Sequence, residues 1–343
     1  MAAQNFFGLD IGTSSIKVVQ LTKVKQGAKL LAAGAIPSPG RGMLTESPVE
    51  QEAICEAIKK IVHEARVSTN RVVSALAESQ IFTRVIEMPV LTDRELTSAI
   101  KWEADQHLPV PISEVSLAWQ VLARPEKITA DARMLVLLIA APLSLVEKHL
   151  KILEAAGLKS EALETENLAL TRALVDQNSP TTLILSIGAF TTDICIARAG
   201  VLVSTRSIAT GGNLLTRAIS SELDFEIAQA EEYKKTYGLL EEQLEGKVFA
   251  ALRPVMEIIV GEVRKTVTTY QSRFPDDAVK QMILAGGGAK LPGIVVYLAQ
   301  AFGMEVQIGD PWYNLIKDHT KEPEIGESRP IFTIATGLAR RGL

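Results

Sequence analysis

Residues 7–21 read FGLDIGTSSIKVVQL, and the reading of this stretch decides the fold. An apolar strand carries Asp10, breaks at Gly12, Thr13, Ser14 and Ser15, and resumes as a second strand through Val18, Val19, Gln20 and Leu21. A chain that needed only a hairpin would turn on Asn-Gly or Asp-Gly in two residues. Here hydroxyls and a lysine occupy that place. A glycine turn between strands lets backbone N–H groups approach an anion closely, and the three hydroxyls add donors, so the loop can cradle phosphate oxygens. Asp10, just before it, is placed to hold Mg²⁺ through water. Lys17 can direct its charge at the same phosphates. Taken alone, the stretch also fits an ordinary hairpin with a buried aspartate and a solvated lysine.

The pattern returns half a chain later. Phe6 to Val19 can be laid beside Leu183 to Ile196 (LILSIGAFTTDICI), an apolar strand meeting glycine, a short hydroxyl-bearing turn and a second strand. A third strand follows each pair, Leu30 to Ile36 and Val201 to Ile208. Two meanders of one design predict a duplicated α/β core with a cleft between its halves. Gly188, Thr191, Thr192 and Asp193 then form a second phosphate loop facing the first. A third glycine turn, GGGAKLPG at 286–293, follows the strand Met282 to Ala285, where Gly286, Gly287, Gly288 and Lys290 are positioned for an adenosine. Neither GxxxxGK[ST] nor a spaced GxGxxG occurs, so the P-loop and Rossmann readings lack their defining residues.

Between the meanders the chain alternates helices and strands. Ser47, Pro48 and Glu50 predict an N-cap, a proline at the first helical position and a capping box for a helix at 49–65. Its apolar face is Ile54, Ala57, Ile58, Ile61, Val62 and Ala65. Residues 78–155 read strand (80–88), helix (93–107), strand (115–123), strand (134–140) and helix (143–156), a βαββα satellite subdomain. Thr92 with Glu95 starts its first helix, whose stripe is Leu96, Ile100, Ala104 and Leu108; Trp102 lies off that stripe and is a candidate for contact with a neighbour. RPEKITADAR, at 124–133, reads as an exposed hairpin loop. Residues 211–280 are mostly helical, and a helix over 294–302 precedes the final IFTIATGLARRG.

With 343 residues the chain exceeds one typical core, and with 47% apolar residues it can fill two. A net charge of −4 provides no basic field for nucleic acid or anionic lipid. Cys55 and Cys195 sit at apolar positions and are expected as buried free thiols in a reducing compartment. The four histidines show no metal-ligand spacing. MAAQNFFGLD has no signal-peptide pattern. The longest apolar run, 134–146, falls short of the ~20 residues a bilayer needs and is broken by Pro142. A cytoplasmic protein, reaching the membrane only through partners, is expected.

These segments together resemble the actin and heat-shock ATPase superfamily: GLDIGTSSIKVV and SIGAFTTDI for the phosphate loops, ILAGGGAKLPGI for the adenosine loop, and GGNLLTRAI with AEEYKKTYG between them. The resemblance implies an α/β, duplicated actin-like ATPase fold with two lobes around a nucleotide cleft. By the same resemblance Gly211 and Gly212 join the binding residues, Glu231 and Lys234 grip ribose and purine, and ETENLALTRAL (164–174) and FTIATGLA (332–339) are helices joining the lobes. Glu166 falls at the site of the water-positioning carboxylate, and it and Asp193 are the expected catalytic residues; a plain capping carboxylate at 166 would look the same. The implied lobes are 1–77 with 156–178 and 331–343, and 179–210 with 281–330. The insert is 78–155 and the adenosine-side helical subdomain 211–280.

The insert lies where FtsA and the PilM family of type IV pilus assembly proteins carry theirs. FtsA-like chains end in a linker and an amphipathic membrane helix, whereas this sequence ends ATGLARRGL, and its compact length and FFGLDIGTSSIKVVQL are most similar to the PilM family. That resemblance implies ATP and Mg as cofactors, capture of the N-terminal cytoplasmic tail of PilN beside the insert, self-association into a ring, and contact with pilus motor ATPases. Efficient hydrolases of the superfamily usually have aspartate where this chain has Ser186. A hydroxyl cannot supply that charge beside the metal, so ATP binding with slow or negligible turnover is expected. An FtsA-like filament, a general secretion platform protein of the same fold and a small-molecule kinase of that fold are the competing expectations.

Overall fold

The structure, a computed structural model, describes residues 6–25, 27–125, 129, 131–316 and 326–343. Strand β1 (Phe7–Ile11) runs antiparallel to β2 (Ser15–Val24), which pairs with β3 (Gly27–Pro37). On the other side β1 lies parallel to β4 (Arg71–Leu76), and β4 parallel to β8 (Lys159–Thr165). All five residues of β1 are buried, as a central strand covered on both faces must be. The second sheet repeats the plan with β9 (Thr182–Ile187), β10 (Thr192–Arg198) and β11 (Val201–Ile208), continued from β9 by the parallel strands β12 (Gln281–Ala285) and β13 (Glu305–Ile308). The registers match: Asp10 stands opposite Lys17 in one meander, and Ser186 opposite Asp193 in the other.

Helix α1 (Pro48–Glu64) packs Ile54, Ile58 and Ile61 on the first sheet. The expected capping box at its start does not form. Ser47 makes no side-chain cap bond, its N–H instead donates to Thr45 Oγ1 at 3.0 Å, and burial of the apolar face holds the helix. Helix α2 (Asp93–Asp105) does carry its box, with Thr92 N–H donating to Glu95 Oε2 at 2.8 Å. Leu96, Ile100 and Ala104 of α2 pack on a separate three-stranded sheet, β5 (Phe82–Pro89), β7 (Arg133–Pro142) and β6 (Val115–Ala123) in that order. Trp102 stays 79% exposed on the outer side of α2. The 124–133 loop falls partly outside the described residues.

Two edges of the expected organisation move. Helix α3 (Leu143–Ala155), assigned from its sequence to the insert, buries Ile152 and Leu153 against α1 in the first lobe. The insert's own sheet therefore closes as βαββ. Strand β14 (Leu315–Ile316) pairs parallel with β3, and Trp312 packs with Val19 and Leu21, so this segment belongs to the first sheet.

Helix α4 (Glu166–Leu174) follows β8 of the first sheet and touches β10 and β11 of the second, and α9 (Thr333–Ala339) packs on α4 and β1. A Cβ at Gly337 would meet Ala169 O at 1.9 Å, and one at Gly8 would meet Ala335 O at 2.1 Å. Backbones therefore touch directly along this spine. Helices α5 (Gly212–Leu223), α6 (Ile227–Tyr237) and α7 (Lys247–Arg273), with α8 (Ile294–Phe302), cover the second sheet over one large core.

The insert also reaches the second lobe. Val85 and Ile139 pack with Cys195 and Leu202, while Arg273 at the end of α7 donates to Glu87 Oε1 at 2.6 Å. Both cysteines are buried and free. Among the described residues no helix is long and apolar enough to cross a membrane.

Candidate nucleotide cleft

A cavity of about 610 Å³ opens between the two sheets, at the turns of both meanders. In the first turn the Gly12 N–H donates to Ser15 O at 3.1 Å; in the second the Gly188 N–H donates to Thr191 O at 2.8 Å. One hairpin design thus faces its copy across the cleft. A Cβ at Gly12 would lie 3.0 Å from both Lys17 Nζ and Ser15 O, so a larger residue would have to push the Lys17 ammonium or the turn backbone aside. Gly286, at φ +74°, and Gly288 press the third loop against Ile187 at the end of β9; Gly287 has open space beside it.

Asp10, Gly12, Thr13, Ser14, Lys17, Gly188, Thr191, Asp193, Glu166, Gly212, Glu231, Lys234, Gly286, Gly287, Gly288 and Lys290 all line the cavity. Thr192 and Gly211 do not. Thr192 points into the sheet, where its hydroxyl donates to Thr210 O at 2.6 Å, and Gly211 backs the second loop, a Cβ there falling 2.8 Å from the carbonyls of Gly188 and Ala189. Both support the loop from behind.

Lys17 is buried and holds Asp10 Oδ2 at 3.0 Å, which removes the reading of a solvated lysine. Lys234 Nζ is pinned by Glu231 Oε2 at 2.6 Å, Thr216 Oγ1 at 2.7 Å and Gly212 O at 3.0 Å. Burial would raise the Glu231 carboxyl, but hydrogen bonds from Lys234 and Thr216 and the Lys234 charge outweigh it and hold it below the usual carboxylate range. This pair is fixed before any ligand arrives.

The cleft floor is acidic. Glu166 is the first residue of α4, but Thr165 caps the helix by accepting from Leu168 N–H, so a capping role for the Glu166 carboxylate does not hold. Instead it accepts from the Glu78 N–H at 3.3 Å. Burial, then the charges of Asp193, Asp10 and Glu78, push the Glu166 carboxyl well above the carboxylate range. Burial raises Asp193 to about 6, and its Oδ1 has no hydrogen-bond partner among the described residues.

Sequence reasoning missed Glu78. Its carboxyl lies behind Glu166, accepts from Thr205 of β11 at 3.1 Å, and is pushed up to about 7 by burial and then by Asp193. A glutamate two residues after the apolar strand RVVSAL, which runs parallel to the strand that carries Asp10, was the available signal. The apolar part of the lining, Met43, Leu44, Phe190, Ile331 and Ile334, was also unforeseen.

The donor set fits a polyphosphate nucleotide. Backbone turns and hydroxyls face one another across a span lined by Lys17, Lys234 and Lys290. No three His, Cys, Asp or Glu groups among the described residues stand close enough together to hold a metal directly. A magnesium ion would come in with the phosphates, keeping its waters, beside the Asp10 carboxylate.

The family model for type IV pilus assembly protein PilM matches residues 8–343. Cell division protein FtsA of Neisseria meningitidis serogroup B is 25% identical over 352 residues, covering 88% of this chain and 83% of FtsA. FtsA of Bacillus subtilis is 23% identical, covering 91% of this chain and 80% of its own. Among solved structures, a chain of a PilM-PilN type IV pilus biogenesis complex superposes with a TM-score of 0.85 at 28% identity, covering 99% of this chain and 98% of that one. MreB5 of Spiroplasma citri bound to AMPPNP superposes with a TM-score of 0.56 at 15% identity, covering 97% and 94%. The architecture is accordingly the actin-like one, two lobes about a cleft.

Proposed function

The chain belongs to the PilM family of type IV pilus assembly proteins, and from that premise we propose that it is an ATP-binding scaffold of the pilus inner-membrane platform. It captures the N-terminal cytoplasmic tail of a PilN-type membrane protein. The observation that carries the reading is the convergence of three glycine loops and four lysines, drawn from both lobes, on one cavity of about 610 Å³. The PilN part is supported by the 0.85 TM-score to a chain of a PilM-PilN complex over nearly its full length. The protein works on the cytoplasmic side of the membrane, held there by its partner, and associates with further copies of itself.

In this reading Gly12, Thr13, Ser14, Gly188 and Thr191 hold the phosphates, Asp10 orients the metal's waters, and Gly286 to Gly288 with Lys290, Glu231 and Lys234 hold the nucleoside. Bound magnesium would neutralise phosphate charge and act as a Lewis acid on the phosphoryl oxygen. The chain's own groups favour retention of ATP over its hydrolysis. Ser186 gives a hydroxyl where a carboxylate would add charge, and Glu166, biased toward its neutral form by burial, is a poor proton acceptor for water.

The deciding experiment titrates labelled N-terminal tails of membrane proteins encoded by neighbouring genes against the purified chain, with and without Mg-ATP. Saturable capture of one tail, tighter with nucleotide, is expected. Failure of every tail, with ATP-dependent polymers in negative stain, would establish the FtsA-like filament reading instead. Trp102 is a contact for the captured neighbour, and Trp102→Ala leaving capture unchanged would remove it from the interface.

A further inference from the structure

Between β3 and α1 the chain runs as a short strap, residues 38–45, across the phosphate end of the cleft. Its root is tied to the first phosphate loop by the Ser38 N–H donating to Ser14 O at 3.1 Å. Gly40 and Gly42 adopt φ of +54° and +57°, and a Cβ at Gly42 would fall 2.7 Å from Gly12 O and 3.1 Å from Thr13 Cα. The strap backbone is thus pressed onto that loop. Met43, buried in the first-lobe core, anchors it, and Met43 and Leu44 line the cavity.

Between those glycines stands Arg41, exposed, with its guanidinium carbon 5.0 Å from the centroid of Phe190. Phe190 is at the tip of the second phosphate loop and lines the cavity. Arg41 therefore meets one phosphate loop through Gly42 and the other through Phe190. Lys17 is committed to Asp10 and Lys234 to Glu231, whereas Arg41 pairs with no carboxylate among the described residues. A planar guanidinium with open donors suits a phosphate group, and an aromatic face is a weak resting place for it.

We propose that Arg41 reads the terminal phosphate of the bound nucleotide, the glycine-flanked strap holding it where the two phosphate loops meet. The role rests on the nucleotide reading above. It sets triphosphate apart from diphosphate: the guanidinium donates charge-assisted hydrogen bonds to a group that ADP lacks. Phe190 keeps the side chain over the cleft mouth when that group is missing.

The test is calorimetric titration of the full chain with Mg-AMPPNP and with Mg-ADP, for the native protein and for Arg41→Ala, Arg41→Lys and Phe190→Leu. Arg41→Ala should weaken AMPPNP binding by about tenfold or more, the scale of a lost hydrogen bond to a charged group, and leave ADP within about twofold. Arg41→Lys should recover part of the loss, and Phe190→Leu should change the ratio of the two affinities by less than Arg41→Ala does. An Arg41→Ala protein that keeps the native ratio, whether both affinities fall or neither does, would overturn the role while leaving the nucleotide site standing. A native protein that binds neither nucleotide would overturn the site and the role together.

Discussion

At the residue scale, Glu78 is the position where the cleft's electrostatics can be measured. Its carboxyl is raised to about 7 in the folded protein by burial and then by the Asp193 charge. In the unfolded chain it releases its proton near the ordinary glutamate range, about 4.3. The folded state therefore binds the proton more tightly, so this contribution is fully present below that range and is lost as pH rises through about 7. Glu78→Gln keeps the shape, stays neutral and removes the cost, which is at most about 4 kcal/mol. Urea unfolding should show the variant gaining on the native protein at pH 8 and gaining little or nothing at pH 4; an equal gain at both would refute the assignment. Asp10 was legible in the sequence because a local pattern, strand then glycine turn, surrounds it. Glu78 was not, because its burial is made by Thr205 and Asp193, more than a hundred positions away. The register adds a further finding at this scale. Ser186 stands opposite Asp193, so an aspartate at 186 would face a like charge across the strands.

At the element scale, the spine of α4 and α9 is where a single methyl decides stability. Gly337→Ala places a carbon 1.9 Å from Ala169 O, which only separation of the two helices can relieve. A loss of at least about 3 kcal/mol, read by urea unfolding or by loss of soluble protein, is expected. Gly261, inside α7 with nothing within 4 Å, is its control. Gly261→Ala should gain about 0.5–1 kcal/mol from the reduced freedom of the unfolded chain. If both substitutions behaved alike, the backbone contact along the spine would be refuted. Elements, too, were unequally legible. The two meanders and the three glycine loops lie in contiguous residues whose alternation and turn chemistry read directly. The destinations of α3 and β14 were not readable, since the apolar stripe of Ile152 and Leu153 is complementary to either of two nearby cores and two residues at 315–316 carry no periodicity. The capping box at Ser47 failed for a related reason: a local motif yields when burial of Ile54, Ile58 and Ile61 already holds the helix.

At the scale of the whole molecule, ligand held by both lobes should stabilise the fold as a unit. Mg-ATP at about a hundred times its dissociation constant adds ~2.7 kcal/mol, which should raise the melting temperature by a few degrees with a single transition retained. Differential scanning calorimetry that shows no displacement at millimolar Mg-ATP would count against the cleft reading, and a split transition would show that nucleotide engages one lobe alone. The attachment of the insert bears on how such a molecule carries load. Its chain enters and leaves through the first lobe, at residues 77 and 143, so that route is covalent. Its other anchorage, Glu87 to Arg273 and the Val85 patch against β10 and β11, is built of separable contacts on the second lobe. Were a partner to pull on the insert, the load would divide between these two routes, and the second, being non-covalent, would part first. The seam that gives way is then the one between the insert and the second lobe, the weak link through which such a load would first be felt.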